Sequence, residues 1–256
     1  MSFTDLHSHI LPGMDDGARD PAESAKMLRA ELEMGVERIA LTSHFRIDRE
    51  SPEAFADRRE RAWEALMAEL ENNEKTACAP VLKKAAEVTY FPGLAETDLS
   101  KLCIEGTKTV LVELPMGAEP FRFDETICGL RLRGYDPILA HIERCDKLIS
   151  DPPRIYELVE NGVYIQINAG TLLSRGRSVA FCLDLIRWGL VHVIASDAHG
   201  PESRAPNLGR AVEYIEKKLG KGAYDALEAV SAGLFAGESP EAPYPYCPRK
   251  VLGRWR

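Results

Sequence analysis

The chain has 256 residues, 45% of them hydrophobic and 28% charged, enough to bury the core of one large α/β domain or two small ones. Its net charge of −8 argues against broad nucleic-acid binding, although a local cationic pocket for phosphate is compatible with it. There is no membrane-length apolar run, no basic-then-apolar leader, and no CxxC among Cys78, Cys103, Cys128, Cys145, Cys182 and Cys247, so the expectation is a reduced cytoplasmic protein without membrane insertion.

In chain order, a first strand is expected from Phe3 to Leu6. The stretch RDPAESAKMLRAELEMG then predicts a helix with Asp20 as N-cap, Pro21 in its first turn and Glu23 completing a capping box. Ala22, Ala25, Leu28 and Leu32 share one face of it, and Gly35 ends it. VERIALTSH reads as the second strand and is followed by a long charged helix from about Pro52 to Asn72. VLKKAAEV, KTVLVEL, YDPILAH, VYIQIN and LVHVIASDAH supply five more strands, mostly separated by helical stretches. Short β-branched runs without strict alternation suit buried parallel strands. Seven such strands predict a closed or nearly closed (β/α) barrel, with an open doubly wound sheet as the alternative. No G-x-G-x-x-G or Walker A string supports dinucleotide or P-loop nucleotide binding. Residues 1–238 are expected to form the single barrel domain. Residues 239–256, proline-rich and then basic and aromatic, are expected to form an extended tail packed on that domain or on a neighbour.

The chemistry-bearing residues collect at the predicted C-terminal strand ends. His7 and His9 follow strand one, His44 follows strand two, and Glu87, Glu113 and His141 close strands three, four and five. Asp197 and His199 follow strand seven, and of the six histidines only His192 stands at a strand's start. Barrel enzymes build their active sites at that end. One such histidine would read as a hydrogen-bonded core residue. Several imidazoles and carboxylates converging at one mouth are costly to bury without cations. The thiolate-free mixture suits Mn²⁺, Fe²⁺ or Zn²⁺, and the number of donors suits two or three ions, with a carboxylate such as Glu87 bridging a pair.

DLHSHILPGMDDG, TSH after strand two, a mid-chain glutamate and SDAH near the end resemble the PHP (polymerase and histidinol phosphatase) superfamily. Together with LVELPM, AHIERCDKL and ASDAHGPESRAPNL, they are similar to the bacterial PHP-type protein-tyrosine phosphatases of capsule and exopolysaccharide synthesis, over about residues 3 to 235. The resemblance implies a single-domain α/β fold, a distorted (β/α)₇ barrel with a three-metal centre, usually dependent on Mn²⁺. It implies His7, His9, Glu87 and Asp197 around a first ion, with Glu87, Glu113 and His141 around a second. Asp16, His44 and His199 would hold a third, with Asp15 competing with Asp16 for that place. Arg144 and Arg204 correspond to the phosphate-handling arginines. Where relatives often carry a basic or imidazole residue directly after the TSH histidine, this chain has Phe45 and then Arg46. Phe45 would pack or stack on an aromatic substrate, and Arg46 would either contact phosphate or stand solvated.

The implied reaction is hydrolysis of phosphotyrosine on a protein, a bacterial tyrosine kinase being the expected substrate, by in-line attack of a metal-activated hydroxide. Arg144 and Arg204 offer planar donors to the phosphate, and His199 is a candidate proton donor. Cysteine-phosphatase chemistry is excluded, because no cysteine has an arginine six residues on. The alternatives are a PHP-type phosphomonoesterase for a small metabolite such as histidinol phosphate, and a non-catalytic metal-stabilised binding module.

Overall fold

The computed structural model describes residues 2–72, 80–115, 120–241, 244–251 and 253–256; Cys78 and Met116 of LVELPM lie outside them. The elements run β1 (Phe3–Ser8), α1 (Pro21–Glu33), β2 (Val36–Leu41), β3 (His44–Phe45), α2 (Pro52–Asn72), β4 (Val81–Lys84), β5 (Glu87–Thr89) and β6 (Thr109–Glu113). Then follow α3 (Phe123–Leu132), β7 (Asp136–Leu139), a 3₁₀ turn at Ile142–Arg144, α4 (Asp146–Ser150), α5 (Pro152–Glu160), β8 (Tyr164–Asn168) and α6 (Ala169–Leu172). The rest comprises α7 (Arg177–Arg187), β9 (Val193–Ala195), α8 (Leu208–Leu219), α9 (Asp225–Ala236), β10 (Lys250–Val251) and β11 (Arg254–Trp255). Among the described residues no helix is long and apolar enough to cross a membrane.

The fold is a distorted parallel (β/α) barrel in one α/β domain. Strands β1-β2-β4 form one sheet and β3-β5-β6-β7-β8-β9 another, with β10-β11 as a separate antiparallel hairpin. The expected second and third strands are each broken in two, at Thr42–Ser43 and Ala85–Ala86. There the ladder changes partners: β2 pairs with β4, and one step further along β3 pairs with β5. Glu87 therefore opens β5 instead of closing a longer strand. The last strand returns to the first through Asp197 N–H to His7 O (2.9 Å) and His9 N–H to Ala198 O (2.8 Å). Among the described residues no helix joins β5 to β6; turns do.

Local sequence explains the first helix. Asp20 accepts from Glu23 N–H at 2.9 Å, Pro21 fills the first turn, and Gly35 adopts φ +83° just beyond the end. The expected capping box differs in one detail, because Glu23 accepts from Arg19 N–H (3.0 Å), one residue upstream of the N-cap. One packed cluster contains Leu111, Ile138, Tyr164, Val193 and Ala195, and is closed by Val230, Leu234 and Phe235 of α9. Side chains alternate along a strand. The same face, two positions on, therefore turns polar: Glu113 after Leu111, Gln166 after Tyr164, Asp197 after Ala195. The larger cluster lies between strands and outer helices and includes Phe45, Val110, Ile165 and Ile215. The tail touches the domain where Tyr246 N–H donates to Trp188 O (2.7 Å) and Ser239 Oγ donates to Asp136 (2.7 Å).

Candidate metal and phosphate site

The closure between β1 and the turn after β9 sets His7 and His9 against Asp197 and His199. The loop after β1 folds back tightly on this seam, with Ala18 N–H donating to His9 O at 3.0 Å. Gly17 makes that approach feasible, since a Cβ there would lie 2.2 Å from His9 O. The fold-back brings Asp15 and Asp16 over the barrel mouth and separates their roles. Asp15 is buried on His9 Nδ1 (2.8 Å), His44 N–H (2.8 Å) and Gly17 N–H (2.9 Å). Asp16, 64% exposed, faces His44 Nε2 (3.5 Å) and His199 Nε2 (3.4 Å).

Acceptors outside the cluster fix the imidazole tautomers. His9 Nδ1–H donates to Asp15, His7 Nδ1–H to Gln166 Oε1 (3.2 Å) and His199 Nδ1–H to the carbonyl of Asp197 (2.9 Å). Gln166 is itself oriented, accepting from His141 N–H (2.8 Å) and donating to Asn168 Oδ1 (2.7 Å). Three Nε2 lone pairs are thereby turned inward, the arrangement in which a ligating histidine holds its other nitrogen on a protein acceptor. His7 Nε2 and His9 Nε2 come within 3.2 Å of each other, too close for two lone pairs with no cation between them. Glu87 Oε2 lies 3.3 Å from His7, 3.2 Å from His9 and 2.9 Å from His44, while its Oε1 meets His141 Nε2 at 2.9 Å. Glu113 stands 3.7 Å from His141 and 4.0 Å from His44.

Four sets of donors are each compact enough to share an ion: His9, Asp16, His44 and His199; His7, His9 and Asp197; His7, Glu87 and His141; and His44, Glu87 and Glu113. All nine ligand candidates of the sequence are thus brought together, with Glu87 common to two sets. The electrostatics demand positive charge. Burial opposes ionisation of Glu87, yet His7, His141 and His44 hold its carboxyl well below the ordinary range. Burial also opposes a charged His9, but its hydrogen bond to Asp15 and the adjoining Glu87 carboxylate push it up to about 10, so its Nε2 holds a cation, whether proton or metal. Burial, reinforced by the neighbouring His9, pushes His199 down to about 4. Glu87 Oε2 and His199 Nε2 are both buried without a hydrogen-bond partner among the described residues. Buried acceptors without a hydrogen-bond partner, each within one of the compact donor sets, fit divalent cations.

Arg144 and Arg204 flank the cluster, donating to Asp197 Oδ2 (2.7 Å) and Oδ1 (3.0 Å); Asn168 donates to the same carboxylate at 2.6 Å. His141, Asp197 and Arg204 all have left-handed backbone, with φ of 32°, 50° and 49°. Non-glycine residues in that region concentrate at functional sites. Arg46 is exposed and pairs with Asp48 at 3.0 Å. Phe45 is fully buried and packs edge-on against Phe55 at 5.4 Å, so it packs and does not face a substrate. Cys145 is buried beside the 3₁₀ turn. Sequence reading passed over Gln166 and Asn168, whose Q-x-N spacing on one strand face is the same signal as H-x-H. Asp15 as the orienting partner of His9 had no signal short of the folded loop.

The chain matches the family described as capsular polysaccharide synthesis, CpsB/CapC, over residues 3–233. It is 31% identical to the tyrosine-protein phosphatase YwqE of Bacillus subtilis, covering 97% of this chain and 98% of that protein. It is 30% identical to the tyrosine-protein phosphatase CpsB of Streptococcus pneumoniae, covering 84% and 90%. Among solved structures it superposes with a TM-score of 0.86 and 30% identity, over 96% of this chain and 100% of the other, on a structure from work on YwqE and CpsB as unique metal-dependent tyrosine phosphatases. A β-aspartyl dipeptidase of Fervidobacterium islandicum AW-1, at TM-score 0.53 and 15% identity over 94% of this chain and 76% of that one, shares the fold alone.

Proposed function

Because the chain belongs to the CpsB/CapC family of capsular polysaccharide synthesis proteins, we propose that it is a metal-dependent phosphatase acting on phosphotyrosine in proteins. Its substrate in this reading is a bacterial tyrosine kinase of capsule or exopolysaccharide synthesis. The observation that carries the reading is the inward-turned trio of imidazole Nε2 atoms, two of them within 3.3 Å of a buried Glu87 oxygen that no hydrogen bond satisfies, with two arginines fixed at the edge of the cluster. His7, His9, Glu87 and Asp197 would hold one divalent ion. Glu87, Glu113 and His141 would hold a second, and Asp16, His44 and His199 a third, with manganese the expected metal. Bound there, the ions supply Lewis acidity to the phosphoryl oxygens and lower the pKa of the attacking water.

The chain's own residues do the positioning. Asp197 accepts from both Arg144 and Arg204 and so holds two guanidinium forks in place, with further N–H groups left for phosphoryl oxygens. Arg46 stands at the rim of the neighbouring cleft as a further phosphate contact. With its pKa near 4 and its Nδ1–H on a carbonyl, His199 has a lone pair to offer and no spare proton at neutral pH, which favours the ligand role. A tyrosinate, with a conjugate-acid pKa of about 10, leaves without a strong general acid. The test is metal content of the purified protein, with hydrolysis of a phosphotyrosine peptide and of histidinol phosphate measured before chelation, after it and after Mn²⁺ is returned. Chelator-sensitive, Mn²⁺-restored cleavage of the peptide is expected. Preference for histidinol phosphate would make the protein a metabolite phosphatase, and inertness toward both in the metal-loaded state would leave only a binding module.

A further inference from the structure

A cleft of about 560 Å³ opens directly beside the candidate ligand cluster and shares Asp16, His44 and Glu113 with it. Its far wall is the segment after β3 and the start of α2, which contribute Arg46, Arg49 and Arg58. Most charges here are internally matched. Arg58 donates to Glu50 and to Met14 O, Asp15 is tied to His9, and Arg46 meets the exposed Asp48. Arg49 is different: it is exposed, and among the described residues its guanidinium has no hydrogen bond and no carboxylate within 4.0 Å, its attraction to Asp48, already paired with Arg46, acting at longer range. Across the cluster, a cleft of about 400 Å³ is lined beyond Arg144 and Arg204 by Asn168, Thr171, Ser174 and Asn207, with the carboxylates of Glu143 and Asp197 beside them. The two flanks thus differ: on one the guanidiniums are tied to Asp197 among amides and hydroxyls, and on the other Arg49 has no hydrogen bond.

We propose that the arginine-walled cleft is a subsite for a second anionic side chain of the same phosphotyrosine polypeptide, a carboxylate or a second phosphate, held by Arg49. The proposal rests on the phosphatase reading above. A guanidinium matches both anions in a planar two-point contact. Because the pair forms at an exposed rim, its effect is modest and sensitive to salt, about fivefold in kcat/KM.

The experiment compares three peptides that differ only beside the phosphotyrosine, carrying glutamates, glutamines or a second phosphotyrosine, on the metal-loaded full chain and its Arg49→Glu variant. The wild type is expected to favour one or both anionic peptides over the glutamine peptide by about fivefold, with the preference fading toward about 0.5 M salt. The arm that shows it identifies the anion. Arg49→Glu should abolish or invert the preference, and Arg49→Lys should keep part of it. Equal kcat/KM on the three peptides, or a preference that Arg49→Glu leaves intact, overturns the subsite while cleavage of the glutamine peptide preserves the phosphatase reading. Failure to cleave any peptide defeats that reading and the subsite with it.

Discussion

The two ends of the barrel both bury polar groups, but their charges are matched differently. At the base, Thr4 donates from N–H (3.0 Å) and Oγ1 (2.7 Å) to Glu228, and Arg38 donates to Thr4 Oγ1 (2.7 Å) and Glu228 (2.9 Å). Each charge there has an opposite within the network. At the mouth, Glu87 Oε2 and His199 Nε2 have no hydrogen-bond partner among the described residues, and His7 Nε2 and His9 Nε2 face one another across 3.2 Å. The contrast extends to histidine. His192, just before β9 and fully buried, accepts Ile165 N–H at Nδ1 (3.0 Å), leaves its Nε2 without a partner among the described residues, and is pushed down to about 4 by burial alone. His9 is pushed up to about 10 among carboxylates despite its burial. A polar network that satisfies itself serves stability, whereas one whose acceptors converge unmet has a place for something else.

The largest way to break the contrast is Glu87→Ala, which removes a carboxylate from the centre of the mouth. It should lower kcat on the order of a thousandfold, about 4 kcal/mol of barrier, and reduce bound metal, while circular dichroism shows a folded chain. Retention of full metal content and activity would refute the bridging role. Arg144→Ala and Arg204→Ala should each cost about a hundredfold in kcat/KM on a phosphotyrosine peptide while sparing metal content and Tm, with lysine restoring only part. Near-wild-type kinetics in both would leave the phosphate clamp without support.

At the base, His192 gives a pH test. Its folded pKa of about 4 lies below the ordinary 6.5, so the unfolded chain takes the proton first. Its effect on stability is therefore absent above about pH 6.5 and grows unfavourable as pH falls, levelling off near 4 at about 3 kcal/mol. Urea titrations of the His192→Gln variant should show a correspondingly shallower loss of stability across that window, and an unchanged slope would contradict the assignment. Glu228→Ala leaves Arg38 and Thr4 without their acceptor and should cost about 1–2 kcal/mol of stability, with kcat/KM within about twofold of wild type. Iodoacetamide should have the smallest effect, because Cys103, Cys145 and Cys182 are buried and the exposed Cys128 lies on α3, outside the candidate site. Loss of activity on alkylation would count against thiol-independent chemistry.

Much of this was legible before folding. The Asp20–Pro21 start and Gly35 end of α1, the span of α2, and the clustering of histidines and carboxylates at strand ends follow from capping chemistry, apolar periodicity and barrel geometry. The breaks at Thr42–Ser43 and Ala85–Ala86 were not, because apolar runs reveal that a strand exists and not where its ladder changes neighbour. Glu23 matched a capping-box pattern but found Arg19 N–H, a choice made by the approach of the chain to the helix.

By itself the sequence determined which donor types stand at the mouth, since residue identity and the two-residue period of a strand place them there. Only the tertiary structure decided which nitrogen of each histidine faces inward, that Asp15 orients while Asp16 faces the cluster, and that Arg49 is left unmatched. Those outcomes depend on hydrogen bonds between distant parts of the chain. His7 takes its tautomer from Gln166, 159 residues away, and the barrel must close before the two can meet.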